Sequence, residues 1–333
     1  METKNIVQNL EIPVVIGVSG GVDSMVLLYL AMQQLPRNTI IVAHFDHGLR
    51  GADSDGDRIF VEKFCHENSL IFEAETKNIA EMARNEKMSI EAAARKYRYQ
   101  FFAKIYQKYD ANALCTAHHC DDRIEGAMFN LIRGTKFGGL IALKNQDFWK
   151  IEEQKIHIFR PLLLFSKSEI LAFAREKNIP FREDATNDDT EFQRNFLRHE
   201  ILPKFEQINP EYRRAITNFL EYVSEHKSVQ DEEISWWLEA QNSRFKEILQ
   251  KKFPENPREF SIFSLKDFLN QSEFFQKNII AYIFEIANYG TIGLSDAIIS
   301  EILRFLKEGK NSFGMRKIKN LELERRGNWI FWK

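Results

Sequence analysis

At 333 residues, 44% hydrophobic and with 28 phenylalanines, the chain has enough apolar side chain for packed cores and room for two domains of the usual ~100–200 residues, which excludes a disordered protein. A net charge of −2 excludes a surface coated in positive charge, so any nucleic-acid contact must rest on local basic patches. The three cysteines, Cys65, Cys115 and Cys120, make no C-x-x-C pair and an odd set, which speaks against a disulfide framework and for reduced thiols in the cytoplasm.

No cleavable apolar segment is read at the amino terminus, where Val14 to Val18 instead reads as a buried strand. It is followed by the turn Ser19-Gly20-Gly21-Val22-Asp23-Ser24 and an apolar helix from Met25. Thr39 to Phe45 reads as a second strand, Asp55 to Asn68 as a helix, and Leu70 to Ala74 as a third strand. Ser89 is a candidate N-cap for a long helix running to about Tyr109. Ala113 to Ala117 is a fourth strand, followed by a helix from about His119 to Arg133. This β-α alternation predicts an α/β fold, a parallel sheet with helices on both faces, with ligands at the carboxyl ends of the strands.

Ile156 to Phe159 continues the strands, and Ser166-Lys167-Ser168-Glu169 is a capping-box pattern opening another helix. A helix from Glu191 is expected to stop near Leu202, ahead of Pro203. Beyond Pro210 the pattern turns helical. The tail then carries two strand-like runs, Leu321 to Glu324 and Trp329 to Trp332, flanking a Gly327-Asn328 turn. The apolar stretch 278–284 is broken by Glu285, far short of the ~20 residues of a membrane span. Residues 1–208 are expected to form the catalytic domain and 209–333 a helical linker with a small C-terminal α+β domain.

The glycine turn between strand and helix is a phosphate cradle: glycines allow close backbone approach, and the helix N-terminus favours an anion. Ser19, Gly20, Gly21, Val22, Asp23 and Ser24 are therefore candidate phosphate-binding residues. The lysine of a G-x-x-x-x-G-K-[ST] loop is missing. Asp23 would repel a phosphate unless magnesium lay between them.

After the second strand, His44 and His47 have no sequence partners to complete a metal site, so structural or substrate contacts are expected. After the fourth strand comes His118-His119-Cys120-Asp121-Asp122. Adjacent residues on a helix splay apart, which disfavours zinc. Asp121 and Asp122 suit magnesium together with Asp23, or serve as helix N-terminal charges. Asp122, Glu125 and Phe129 share one face of the helix. Glu91, Arg95 and Arg98 share a face of the long helix, as an ion-pair ladder or as phosphate contacts. Arg194 and Arg198 likewise solvate a helix or receive phosphate. Arg213-Arg214, Arg316-Lys317-Lys319 and Arg325-Arg326 are further candidate phosphate contacts.

The opening loop resembles that of the ATP-pyrophosphatase (PP-loop) superfamily, whose fold is Rossmann-like, and the resemblance implies ATP binding by Ser19, Gly20, Gly21, Val22, Asp23 and Ser24. With S-G-G-V-D-S, H-F-D-H-G-L-R, E-A-A-A-R-K-Y-R-Y, A-H-H-C-D-D, R-P-L-L, D-A-T-N and R-N-F-L-R in order over roughly residues 14 to 205, the chain resembles the tRNA(Ile)-lysidine synthetase family. The resemblance implies an ATP-dependent ligase. It would adenylate the wobble cytidine of an isoleucine tRNA with a CAU anticodon, release pyrophosphate, then join L-lysine and release AMP. It implies Asp23 and Asp122 as catalytic, magnesium-binding carboxylates, Arg95 and His118 as catalytic ATP contacts, and Arg194 and Arg198 in substrate or tRNA handling. It further implies tRNA binding by the C-terminal domain. The oligomeric state stays open, a homodimer being one option. Arg123 and Gly126, and Thr135-Lys136-Phe137, depart from the family pattern; Gly126 costs about 1 kcal/mol of helix propensity relative to alanine. The alternatives are another PP-loop tRNA-modifying enzyme, such as a thiolase, and a catalytically impaired ATP- and RNA-binding relative.

Overall fold

Val14, Val15 and Ile16 are all fully buried, as are Ile40 and Val42, the near-continuous burial expected of strands covered on both faces. A computed structural model describes residues 6–8, 10–48, 52–135, 137–141, 143–151, 154–182, 196–252, 260–288, 290, 293–308 and 313–333. The chain divides into two compact units, residues 1–220 and 221–333.

The first unit runs β1 (Val14–Gly17), α1 (Val22–Gln34), β2 (Ile40–Asp46), α2 (Ala52–Glu67), β3 (Ile71–Thr76), α3 (Ile79–Glu86), α4 (Ile90–Lys108), β4 (Ala113–Cys115), α5 (Cys120–Ile132), a short α6 (Phe137–Leu140), β5 (Gln146–Ile151), β6 (Gln154–Phe159), α7 (Lys167–Glu176) and α8 (Leu202–Ile208). Its six-stranded sheet has the order β3-β2-β1-β4-β6-β5. All pairs are parallel except β5–β6. The order reverses between β1 and β4, where Val14 pairs with both Ile40 and Ala113. The crevice outside the carboxyl ends of such neighbours is the usual ligand position in this kind of sheet.

Alternate side chains of each strand feed different layers. Val14, Ile16, Ile40 and Val42 pack with Met25, Leu28, Val61 and Phe173 from α1, α2 and α7. Val15, Ile41, Ala43 and Leu114 pack with Phe101, Phe102 and Ile105 of α4 and Ile79 of α3. Ser89 caps α4 as expected, its hydroxyl accepting from the Ala92 amide at 3.2 Å. Ser166 and Glu169 form the expected reciprocal box at α7, with the Ser166 amide donating to Glu169 at 2.8 Å.

Three features depart from the sequence reading. The edge strand β5 is antiparallel and alternates exposed with half-buried residues, so its apolar signal is weak. Helix α3 is only eight residues long and depends on the Asn78 side chain, which accepts from the Glu81 amide at 3.2 Å. Pro203 does not stop a helix. It stands in the first turn of α8, where its missing N–H has no partner to lose, after a π-helical turn at Leu197–Ile201.

Helix α9 (Tyr212–Lys252) runs across the division of the chain. The second unit continues with β7 (Ser261–Ser264), α10 (Leu265–Leu269), α11 (Glu273–Asn288), α12 (Asp296–Glu308), β8 (Phe313–Ile318), β9 (Leu321–Arg326) and β10 (Trp329–Trp332). Its four strands form an antiparallel sheet of order β7-β10-β9-β8. Gly327, at φ 61°, makes the expected turn between β9 and β10. No helix among the described residues is long and apolar enough to cross a membrane.

Gly17 ends β1 directly under the Phe102 ring, where an added Cβ would sit 2.8 Å from a ring carbon. Phe102 is itself buried, so neither side can yield cheaply. Gly17→Ala is expected to destabilise the fold by about 1–3 kcal/mol, measured by urea denaturation.

Candidate active site

The loop that leaves β1 is held from inside by Ser24. Its hydroxyl accepts from the amides of Ser19 (3.2 Å) and Gly20 (3.3 Å) and donates to the Gly21 carbonyl (2.9 Å). Gly20 adopts φ 98°, a conformation that side chains other than glycine rarely tolerate. Two loop amides are thus committed to Ser24. The donors left for an anion are those of the first turn of α1, which opens at Gly21 and has no intrahelical partners for its first amides.

Across the crevice, β4 delivers Thr116 to Asp122 at the start of α5. His119 sits before the first helical residue, and its amide donates to Asp122 Oδ2 at 2.9 Å. Its ring stands among all three aspartates: Nε2 is 3.9 Å from Asp23 Oδ2 and 3.5 Å from Asp122 Oδ2, and Nδ1 is 3.7 Å from Asp121 Oδ2. Asp23 and Asp122, distant in sequence, therefore face one another around a single imidazole.

Cations ring this acidic knot. Lys167 Nζ lies 2.6 Å from Asp23 Oδ2. Asp121 accepts from Arg213 Nε at 2.7 Å on one oxygen and from the Lys167 amide at 2.8 Å on the other. Burial acts to raise the Asp121 pKa, but those two hydrogen bonds hold it below its ordinary value. Arg198 grips Glu125 with Nε (2.6 Å) and Nη2 (2.9 Å) and reaches Asp122 Oδ1 at 3.2 Å. Burial nonetheless raises the Glu125 pKa, since its side chain is 5% exposed.

His118 turns the other way. Its Nδ1 is 2.8 Å from the Thr116 hydroxyl. Burial, reinforced by the charges of Arg160, Arg98 and Arg95 and opposed by Asp122, holds its pKa well below the ordinary 6.5, so the ring is neutral. The Arg95 guanidinium lies over Trp149 at 4.9 Å and Tyr99 at 5.3 Å.

The structure thus brings Asp23, Asp121, Asp122 and Arg198 together around His119. Arg95 and His118 stand in one neighbouring group, in mutual electrostatic reach. Arg194, together with Asp184, Ala185, Thr186 and Asn187, lies outside the described residues. His44 is structural: it is buried, with Nδ1 2.8 Å from the Val18 carbonyl. Among the described residues no group of three or more His, Cys, Asp or Glu is arranged to hold a metal ion.

Several basic residues offered as nucleic-acid contacts are engaged internally. Arg213 serves Asp121, Lys317 pairs with Glu322 at 2.6 Å, Arg326 holds Glu324 through two bonds, and Arg325 donates to the Leu306 carbonyl. Sequence reasoning missed Lys167 as a site residue and read it only as part of a helix cap. Nothing local marks it, because its partner Asp23 is 144 positions away. Helix α5 runs unbroken through Gly126.

A model of the PP-loop domain family matches residues 2–205. Over 233 residues the chain is 35% identical to the tRNA(Ile)-lysidine synthase of Chlorobaculum tepidum, covering 68% of this chain and 67% of that protein. The chain belongs to the tRNA(Ile)-lysidine synthase family of PP-loop proteins. It is also 39% identical over 214 residues to the synthase of Thermosipho africanus, covering 64% of this chain and 48% of that one. The chain spans about half the length of the first curated relatives it matches. A solved U34-tRNA thiolase from Methanococcus maripaludis shares the fold, with a TM-score of 0.54 at 20% identity over 67% of this chain and 76% of that one.

Removing Arg198 would leave Glu125 buried beside Asp122 without its cation. Arg198→Ala is expected to cost about 2 kcal/mol near pH 7, less than a fully buried pair because the arginine is partly exposed. Adding Glu125→Gln should restore most of that loss in chemical denaturation.

A second expectation concerns His118. Its folded pKa lies below the unfolded value, so the folded state binds fewer protons below pH 6.5 and stability falls as pH falls through that range. His118→Asn should flatten this decline in melts recorded from pH 7 to pH 4.

Proposed function

We propose that the protein is a cytoplasmic ATP-dependent ligase that joins L-lysine to the wobble cytidine of an isoleucine tRNA with a CAU anticodon. The observation that carries this reading is the convergence of Asp23 and Asp122 on His119 beside the glycine loop, 3.9 and 3.5 Å from the same ring nitrogen. The cytidine 2-carbonyl oxygen attacks the α-phosphorus of ATP, and the P–O bond to pyrophosphate breaks. The lysine ε-amine then attacks the ring carbon, and the C–O bond to AMP breaks.

The first-turn amides of α1 and its dipole suit the pyrophosphate, while Ser24 keeps the loop in shape for it. Asp23 Oδ1 is buried without a hydrogen-bond partner, and Asp122 stands opposite, so this pair fits a magnesium ion. Asp121 accepts from Arg213 and the Lys167 amide, and Asp122 from the His119 amide and Arg198, so the unpartnered Asp23 Oδ1 would lead the coordination, with Asp122 and Asp121 completing the acidic set. When bound, the ion would offset the negative charge that gathers on the departing pyrophosphate. Arg95, permanently charged, would steady the same reaction from the α4 side. His118, held neutral by burial, would serve as an uncharged hydrogen-bonding contact to ATP, and the base that takes the lysine proton is His118 or a carboxylate. Arg198 positions Asp122 and Glu125, and Arg194 remains assigned to substrate handling on the family resemblance alone.

A thiolation reading finds no support in the cysteines. All three are buried and free. Burial pushes the thiols of Cys65 and Cys115 up to about 12 and raises that of Cys120, so none is a ready thiolate nucleophile.

Mass spectrometry of isoleucine tRNA incubated with the protein, ATP, magnesium and lysine should show addition of lysine with loss of water. Asp23→Asn should abolish both this product and pyrophosphate release while melting like the parent. Full activity in that variant removes the magnesium-bridging pair from the scheme.

A further inference from the structure

One face of the β5–β6 hairpin stands open to solvent. Trp149, Ile156 and Ile158 turn to the other face and pack with Tyr99 and Phe102 of α4. The alternate residues point the opposite way. On that side Phe159 packs with Ile170 and Phe173 of α7. Beyond Phe159, the residues Gln146, Phe148, Lys150 and Lys155 are exposed.

The strand register makes this open face a small platform. Phe148 is directly opposite His157, and Lys150 is directly opposite Lys155. The Phe148 and His157 rings are stacked, with centroids 4.8 Å apart and planes 19° from parallel. Lys155 Nζ lies over the Phe148 ring at 4.4 Å. Among the described residues of the two strands the one carboxylate, Asp147, is on the other face, bonded to the Trp149 indole at 2.6 Å. His157 Nε2 is buried without a hydrogen-bond partner, a cost that a bound polar group would remove.

Lysines on an edge strand deter pairing with other sheets, and that role alone would explain Lys150. It does not explain Phe148, which is 50% exposed. An apolar ring on an open edge invites the pairing that lysines prevent. Like charges directly opposite also cost stability by themselves. Both features become favourable against a partner that carries flat rings along a chain of negative charge.

We propose that the open face of the β5–β6 hairpin is a docking surface for single-stranded RNA, with a base on Phe148 and the adjoining phosphates on Lys150 and Lys155. This deepens the reading above and rests on it for the identity of the RNA, because the reacting cytidine belongs to an anticodon loop, whose bases are unpaired. Gln146 pairs with Phe159, whose carbonyl accepts from the Thr116 amide at 3.0 Å, so the face begins beside the crevice. Loop nucleotides next to the reacting one run along it from there. The base takes the place of the Lys155 ammonium on the Phe148 ring, and the ammonium turns to the phosphate.

The test is fluorescence anisotropy on the full chain with two labelled probes, an anticodon hairpin of isoleucine tRNA and an RNA duplex of equal length. Phe148→Leu should weaken hairpin binding about fivefold or more and duplex binding by less than about twofold, while Phe148→Tyr keeps the wild-type affinity. Lys150→Gln combined with Lys155→Gln should weaken hairpin binding and lower the slope of log affinity against log salt by about 1.4, the share of two single-strand phosphates. ATP affinity should stay within about twofold in the lysine variant.

Hairpin affinity within about twofold of wild type in both variants, with an unchanged salt slope, overturns the proposal. Aggregation of the lysine variant in that case assigns the face to edge protection. Equal loss of hairpin and duplex in Phe148→Leu also overturns it, since paired bases offer the ring no open face. Should Phe148→Leu melt lower than wild type, the lysine variant decides by its salt slope. Lysidine formation by the wild type is assayed separately. A preference for the hairpin that depends on Phe148 keeps the docking surface even if no lysidine forms, and the assigned reaction alone then falls.

Discussion

His119 stands where three carboxylates meet, and the charge gathered there constrains everything around it. Asp23, Asp121 and Asp122 all lie within 3.9 Å of its ring nitrogens. Like charges at such separations in a partly buried crevice repel strongly unless cations or hydrogen bonds intervene. The chain supplies Lys167 to Asp23, Arg213 to Asp121, and Arg198 to Asp122 and Glu125. These cations come from segments beyond β6, so closing the first unit and neutralising its crevice are one event. The hydrogen bond from the Lys167 amide to Asp121 ties the start of α7 to the same point.

The two sides of the crevice are electrostatic opposites. Towards β1 and α5 it carries carboxylates with an orphaned Asp23 oxygen. Towards α4, β5 and β6 it carries guanidiniums with an orphaned Arg160 nitrogen. A triphosphate needs both kinds of wall: donors and cations for its oxygens, and acidic ligands for the metal it carries. His118, kept neutral between them, adds no charge to either wall. The orphaned atoms are costly within the free protein, and under the proposed function they would gain partners from the bound nucleotide and its metal, a common compromise between stability and function.

Much of the fold is legible locally. The runs at Val14, Ile40 and Ala113 are apolar enough to identify central strands, and Ser89 and Ser166 mark helix starts by side-chain chemistry that acts over three residues. Gly20 and Gly327 are required by backbone conformations that only neighbouring residues determine. The edge strand β5 was hidden because an edge needs only one buried face, and α3 because eight residues carry too little periodicity to stand out. Pro203 was misread because proline ends a helix only from its interior.

The sequence by itself determined the order of strands and helices, the glycine loop, and the presence of acidic residues at two strand ends, since each follows from interactions among near neighbours. Only the tertiary structure decided which charges meet. The Lys167–Asp23 and Arg213–Asp121 pairings join segments far apart in the chain. They exist because β1, β4 and β6 lie side by side in the sheet, an adjacency set by long-range strand pairing and core packing that no local pattern encodes.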